Sequence, residues 1–148
     1  MSQAPKISVS HIGICTRDFD HSIRFYTEAL GFTLSGQAGG GQPYDTLLEL
    51  PPSLKIRAAF VKRDGLTLEL LAYDSPGVVG AAERRPMNQL GLTHLSLVVD
   101  DIDAVANRIV EYGGRVYPDT RINGSDSGDY VFCTDPNGMR IELWRQIG

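Results

Sequence analysis

This chain contains one motif twice, and that constrains its fold more than any other feature of the sequence. Ser10-His11-Ile12-Gly13-Ile14 lies on Thr93-His94-Leu95-Ser96-Leu97 at an offset of 83, without a gap. The register then persists: Asp18 falls on Asp101, Phe19 on Ile102, Asp20 on Asp103, Glu28 on Glu111 and Gly31 on Gly114. A second anchor places Gly65-Leu66-Thr67-Leu68-Glu69-Leu70 on Gly138-Met139-Arg140-Ile141-Glu142-Leu143 at an offset of 73. The first copy therefore holds ten more residues between its anchors, and the Gly-rich stretch 36–42 and Pro51-Pro52 are the natural places for them. Self-similarity of this kind reports architecture before any single element is assigned.

Each copy reads as β-α-β-β-β. Ile7 to Thr16 and Leu92 to Val99 are rich in Ile, Val and Leu and end at Asp-bearing turns, as strands do. Asp18 or Asp20, and Asp101 or Asp103, suit helix N-caps, because a short carboxylate accepts from the free backbone N–H groups there. Ile23, Tyr26 and Leu30, then Val105, Ile109 and Tyr112, recur at helical spacing, and Gly31 and Gly113-Gly114 suit the left-handed stop. Further strands are expected over residues 45–50, 55–61, 66–72, 115–117, 130–134 and 140–144. The sum is an α+β fold. One domain covers residues 1–148, and its two βαβββ modules (about 7–72 and 92–147) form a cupped mixed β-sheet with helices on the outer face. Residues 73–91 are a linker, expected to cross the surface or lid the site.

Period-two alternation decides which side chains share a strand face. His11 sides with Val9, Gly13 and Cys15, and His94 with Ser96, whereas Leu95, Leu97 and Val99 form an apolar row for the helices to cover. Glu69 sides with Thr67 and Leu71, and Glu142 with Arg140 and Trp144. Each module thus presents one imidazole and one carboxylate on its concave face. Two neighbouring carboxylates in a partly dehydrated cup need a compensating cation. His11, Glu69, His94 and Glu142 are accordingly the expected ligands of one divalent metal ion. Two nitrogens and two oxygens suit Zn, Ni, Co, Fe(II) or Mn and are too nitrogen-rich for calcium. Four protein ligands leave two octahedral positions for adjacent oxygens of a small-molecule substrate.

Charge excludes other classes. The 18 acidic and 14 basic side chains are interspersed and give a formal net charge of -4. No basic stripe exists for phosphates, so no nucleic acid and no membrane partner is expected. Cys15 and Cys133 are too far apart for a disulfide framework and are expected to be reduced, buried thiols. Neither a signal-peptide core nor a membrane-length apolar run occurs, which gives a cytoplasmic expectation. His21 has no counterpart in the repeat and is expected at the surface. Arg17, Arg24, Lys62, Arg121 and Arg140 are candidates for an anionic substrate tail, with surface ion pairs as the competing explanation. Phe132 and Trp144 are expected to pack in the core or rim.

With these residues in place, the sequence resembles the vicinal-oxygen-chelate superfamily, which includes glyoxalase I, methylmalonyl-CoA epimerase, extradiol dioxygenases and the fosfomycin and bleomycin resistance proteins. The resemblance covers about residues 7–146. It is carried by Ser-His-Ile-Gly-Ile, Ser-Ile-Arg-Phe-Tyr-Thr-Glu-Ala-Leu-Gly-Phe, Leu-Thr-His-Leu-Ser-Leu-Val-Val-Asp-Asp-Ile-Asp and Asp-Pro-Asn-Gly-Met-Arg-Ile-Glu-Leu. In that family the position matching Glu69 is typically Gln in epimerases and His in dioxygenases. A Glu there is similar to bacterial glyoxalase I, which implies a metal-dependent lyase or isomerase with Glu69 and Glu142 as candidate bases. The linker is longer than in that enzyme and no glutathione-binding set stands out. An epimerase-like racemase, an Fe(II) ring-cleavage dioxygenase and a drug-binding resistance protein are the alternatives. The resemblance also implies a homodimer, with the modules pairing either within one chain or across two.

Overall fold

The computed structural model describes residues 1–148. The first module runs through β1 (Ile12–Cys15), α1 (Phe19–Arg24), a π-helical turn (Phe25–Ala29), β2 (Thr33–Gly40), α2 (Tyr44–Leu48), β3 (Lys55–Arg63) and β4 (Leu66–Ser75). The second comprises β5 (His94–Val98), α3 (Ile102–Glu111), β6 (Arg115–Ser125), β7 (Gly128–Thr134) and β8 (Arg140–Gln146). The sheets have matching orders, β1-β4-β3-β2 and β5-β8-β7-β6, each with one parallel pair at the start of the module and antiparallel pairs elsewhere. This is the expected α+β pair of βαβββ modules, and no strand ladder joins the two sheets within the chain.

Local chemistry explains the elements. Asp18 and Asp101 are the N-caps, and their side chains accept from the backbone N–H of His21 and Ala104. The β3–β4 hairpin closes through Asp64 and Gly65, both at positive φ (49° and 81°), the Asp-Gly pair that matches the twist of flanking strands. Burial alternates along β4 and β8: Leu68, Leu70 and Ala72, then Ile141 and Leu143, are buried, while Glu69 and Glu142 between them are not.

Both modules share one core. Phe25, Tyr26, Val61 and Leu70 belong to the same buried cluster as Ile109, Val131, Ile141 and Leu143. Polar contacts fasten the modules further. The Arg108 guanidinium donates to the carbonyls of Ala29 and Glu28, and His21 Nε2 lies 2.7 Å from the Tyr112 carbonyl. Arg17 N–H donates to Asn137 Oδ1 at 2.8 Å. Tyr26, fully buried, donates its hydroxyl to Asp135 Oδ2 at 2.8 Å. Burial pushes the Asp135 carboxyl up, against the pull of donors from Tyr26, Met139 and Asn137.

Asp129 works in the opposite direction. The Gly124 backbone N–H, followed by the Arg145 guanidinium, holds its carboxyl below the usual carboxylate range. A depressed folded-state pKa adds stability that is present above the unfolded value and lost as pH falls through the folded one. The stability difference between wild type and Asp129→Asn is therefore expected to be largest near pH 7 and to shrink towards pH 3, as read by urea unfolding at both.

Several expectations need correction. The first strand begins at Ile12 and not at Ile7, because residues 7–11 have no neighbouring strand; Ile7 and Val9 are each 90% exposed. Residues 45–50 carry no strand. The Gly-rich stretch takes that place in β2, since Gly36 to Gly40 pair with Phe60 to Ile56, and the surplus residues form the exposed turn around α2. Strand β6 extends to Ser125 instead of stopping at Tyr117, since Ile122 and Ser125 still find partners on β7 past a bulge. Cys133 is buried, which pushes its thiol up to about 12, but Cys15 is exposed on the concave side. His21 is a fastener between modules; its ring lies so close to Gly113 that a Cβ there would sit 2.5 Å away. The linker packs on the β7–β8 turn through Glu83 against Gly138, and the Arg17 guanidinium donates to the Gly80 carbonyl.

Candidate metal centre

Strand register maps the two concave faces onto each other. In the first module Glu69 is paired with Gly13 on one side and Phe60 on the other, and Phe60 with Gly36. In the second, Glu142 is paired with Ser96 and Phe132, and Phe132 with Tyr117. Residues directly opposite share a face. Each rung therefore carries a carboxylate flanked by an aromatic ring, and the histidine lies just beside it.

The local geometry repeats as well. His11 Nε2 lies 3.4 Å from Glu69 Oε2, and His94 Nε2 lies 3.9 Å from Glu142 Oε2. Phe60 meets the His11 ring edge-on at 5.5 Å, and Phe132 meets His94 likewise at 5.4 Å. The preceding hydroxyls, Ser10 and Thr93, stand 2.8 and 2.9 Å from the respective Nδ1 atoms. When Nδ1–H donates to that hydroxyl, the Nε2 lone pair is left facing the carboxylate, the arrangement that orients a metal-ligating histidine. All four side chains are between 18% and 35% exposed, so they are reachable yet partly dehydrated.

These donors fit a metal. Two ligand atoms about 2.0–2.2 Å from one ion stand roughly 3.0–3.5 Å apart, which brackets the His11–Glu69 spacing. The His94–Glu142 spacing is wider, by an amount that a small side-chain rotation closes. The pairs do not, however, gather within one chain: no group of three or more His, Cys, Asp or Glu side chains converges anywhere in it. The structure thus brings the expected ligands together two by two, on the open faces of two separate sheets.

The two half-sites differ in one respect. Ser96 Oγ donates to Glu142 Oε1 at 2.7 Å, whereas Gly13 stands opposite Glu69 and offers no donor. Glu142 is tethered by a hydroxyl, and Glu69 has no such donor. Near Glu69, burial first and then Cys15 and Glu69 itself push the Tyr73 phenol up.

Sequence reasoning missed the aromatic flanks, the paired hydroxyls and the Ser96 tether. Ser10 and Thr93 were visible as a conserved chemical type within the repeat. Phe132 is a wall of the site, and Trp144 stacks on Tyr130 at 5.6 Å on the same face; neither is buried in the core. Of the arginine candidates, Arg121 pairs with Asp103 and Arg17 is committed to the linker, while Arg140 lies over Phe132.

Two grooves follow the unpaired strand edges. One of about 730 Å³ runs between β5, at Leu95 to Val98, and the first-module residues Leu30, Phe32 and Leu66, and one of about 350 Å³ runs along Ile12 to Cys15 beneath Arg85 and Pro86 of the linker.

The family model described as Glyoxalase/Bleomycin resistance protein/Dioxygenase superfamily matches residues 8–143. The chain is 29% identical over 140 residues to the uncharacterized protein YaeR of Escherichia coli (strain K12), covering 93% of this chain and 95% of that one. It is 24% identical to Glyoxylase I 4 of Arabidopsis thaliana, over 92% of this chain and 69% of the relative. Among solved structures, a glyoxalase family protein from Bacillus cereus superposes with a TM-score of 0.83 at 20% identity, covering 100% and 99% of the two chains. Glyoxalase I of Leishmania major gives 0.60 at 22% identity, over 91% and 84%.

Proposed function

The chain belongs to the Glyoxalase/Bleomycin resistance protein/Dioxygenase superfamily, and from that premise we propose that it is a homodimeric, metal-dependent lyase or isomerase that moves a proton between adjacent carbons of a small substrate. The observation that carries this is the repeated His–Glu pair with its Nε2 aimed at the carboxylate, on two faces that need each other to complete one ligand set.

A second copy of the chain supplies the missing half. His11 and Glu69 of one copy meet His94 and Glu142 of the other when the free edge of β1 comes alongside the partner's β5. Residues 7–11 support this docking, because their exposed apolar alternation lacks a strand to pair with, as do the exposed Leu92 before β5 and Val98 at its end. Unpaired strand edges of this kind are templates for another chain. The pseudo-twofold relation between modules makes the arrangement self-complementary.

When bound, a divalent ion supplies the positive charge that stabilises negative charge developing on two vicinal oxygens. The residues of the chain do the rest. Phe60 and Phe132 exclude water from the histidine flanks, Ser96 fixes Glu142, and Glu69 removes and returns the proton. A carboxylate held only through one end can reach between neighbouring carbons, and general-base help of this sort is worth about 10²–10⁴ in rate.

The test combines metal content with isotope exchange. Protein purified without chelator is expected to carry about one Zn, Ni, Co, Fe or Mn ion per chain and to exchange deuterium from solvent into α-hydroxy carbonyls or acyl-CoA thioesters, with or without oxygen. Exchange that survives removal of the ion, or turnover that requires oxygen, contradicts the proposal.

A further inference from the structure

We infer that the substrate carries an anionic tail, a carboxylate or a phosphate, bound by Arg84 and Arg140 on the concave face of the second module. This rests on the metal-centred function proposed above and adds a substrate class to it.

Register places the aromatic pair Tyr117 and Phe132 side by side on β6 and β7, in the rung that also holds Glu142. Each ring carries a guanidinium. Arg84 lies over Tyr117 at 3.7 Å, and Arg140 over Phe132 at 5.2 Å. The linker builds the pairing, since Arg140 Nε–H donates to the carbonyl of Arg85, the residue next to Arg84, at 2.8 Å. Stacking on an aromatic face fixes the plane of a guanidinium and leaves its terminal N–H groups to point outward.

Neither arginine has a carboxylate partner. All six close contacts between a basic nitrogen and a carboxylate involve other residues: His11, His94, Arg57, Arg63, Arg121 and Arg145. In a chain with a net charge of -4, two ring-stacked guanidiniums without a carboxylate partner, beside the candidate metal ligands, are a place for an anion, which the terminal N–H groups bind through hydrogen bonds. Arg140 is the register partner of His94 and stands two residues from Glu142 along β8, a rise of roughly 7 Å. The anion site therefore lies on the same strand face as the candidate metal ligands, one rung along β8 from Glu142.

The opposite half-site has no stacked guanidinium; Lys62, opposite Thr67 and on the same face as Phe60, is exposed and lies over no ring. The Glu69 rung carries Gly13 and Gly36 where the second module has Ser96 and Tyr117, and Ala58 and Ala38 pair one step along. The first module thus leaves room for the body of the substrate, while the second module holds its charged end.

Succinic monohydroxamate and its methyl ester are suitable probes, because both present two vicinal oxygens and the tail is charged in the first and capped by a methyl group in the second. Titrated calorimetrically into the nickel-loaded homodimer, the acid is expected to bind about tenfold more tightly than the ester. Arg84→Gln and Arg140→Gln should each lower that ratio, and the double variant should bring it near one. Lys55→Gln, a change at an exposed cation elsewhere, should leave the ratio as in wild type, and a thermal melt of each variant confirms folding. Equal affinity of acid and ester for the wild-type protein overturns the anionic tail and leaves the metal centre standing. Failure of both hydroxamates to bind the metal-loaded protein overturns the vicinal-oxygen function and this inference with it.

Discussion

Glu69→Gln is expected to keep its metal ion and to lose proton exchange by about 10²–10⁴, the scale of a missing general base. The prediction comes from the one difference between the two half-sites. Glu142 is held by the Ser96 hydroxyl at 2.7 Å, while Glu69 faces a glycine and is restrained only through its pairing with His11. An amide at position 69 preserves shape and one donor oxygen but cannot accept a proton. Ser96→Ala acts on the other half: without its tether Glu142 loses orientation, and metal affinity is expected to fall about 10–100-fold, as when other outer partners of a ligand are removed. Metal stoichiometry and deuterium exchange, measured on the same preparations, separate the two effects. Exchange that persists in Glu69→Gln and vanishes in Glu142→Gln reverses the assignment.

Tyr26→Ala is expected to destabilise the chain by about 3–5 kcal/mol, the cost of deleting a fully buried aromatic ring. Tyr26→Phe isolates the polar share, about 1–3 kcal/mol, since it leaves the buried Asp135 carboxylate short of a donor while keeping the ring against Phe25 and Phe32. Tyr26 bridges the modules, so both should unfold together in a single urea transition. A first-module transition that shifts while the second stays in place would show instead that the shared core does not couple them.

The architecture was legible because it was written twice. Offsets of 83 and 73 aligned the strands that carry the histidines and glutamates, and alternation assigned the faces of β4 and β8 as the structure has them. Phe60 and Phe132 escaped the same comparison for a geometric reason. Phe60 lies nine residues before Glu69 and Phe132 ten before Glu142, so no single offset superposes both, and only cross-strand register reveals their equivalence. The strand expected at 45–50 failed because its Leu-rich end resembles a strand, while the pairing surface of β3 was already taken by the Gly-rich β2. Glycines pair through backbone as well as any residue, and side-chain pattern does not report it. Residues 7–11 read as a strand from composition and are unpaired in the single chain, which is the same fact that points to a partner.

Mixing two inactive variants tests most directly whether one metal centre is built from two chains. His11→Ala and His94→Ala homodimers each lack a ligand in both sites and should bind no ion tightly. After unfolding and refolding together, a mixed dimer has one site with both substitutions and one with neither, and half of the dimers are mixed. About a quarter of the wild-type metal and exchange activity is therefore expected to return, the proportion that random exchange in a twofold dimer dictates. No recovery on mixing, with mixed dimers shown to form, would contradict a shared site.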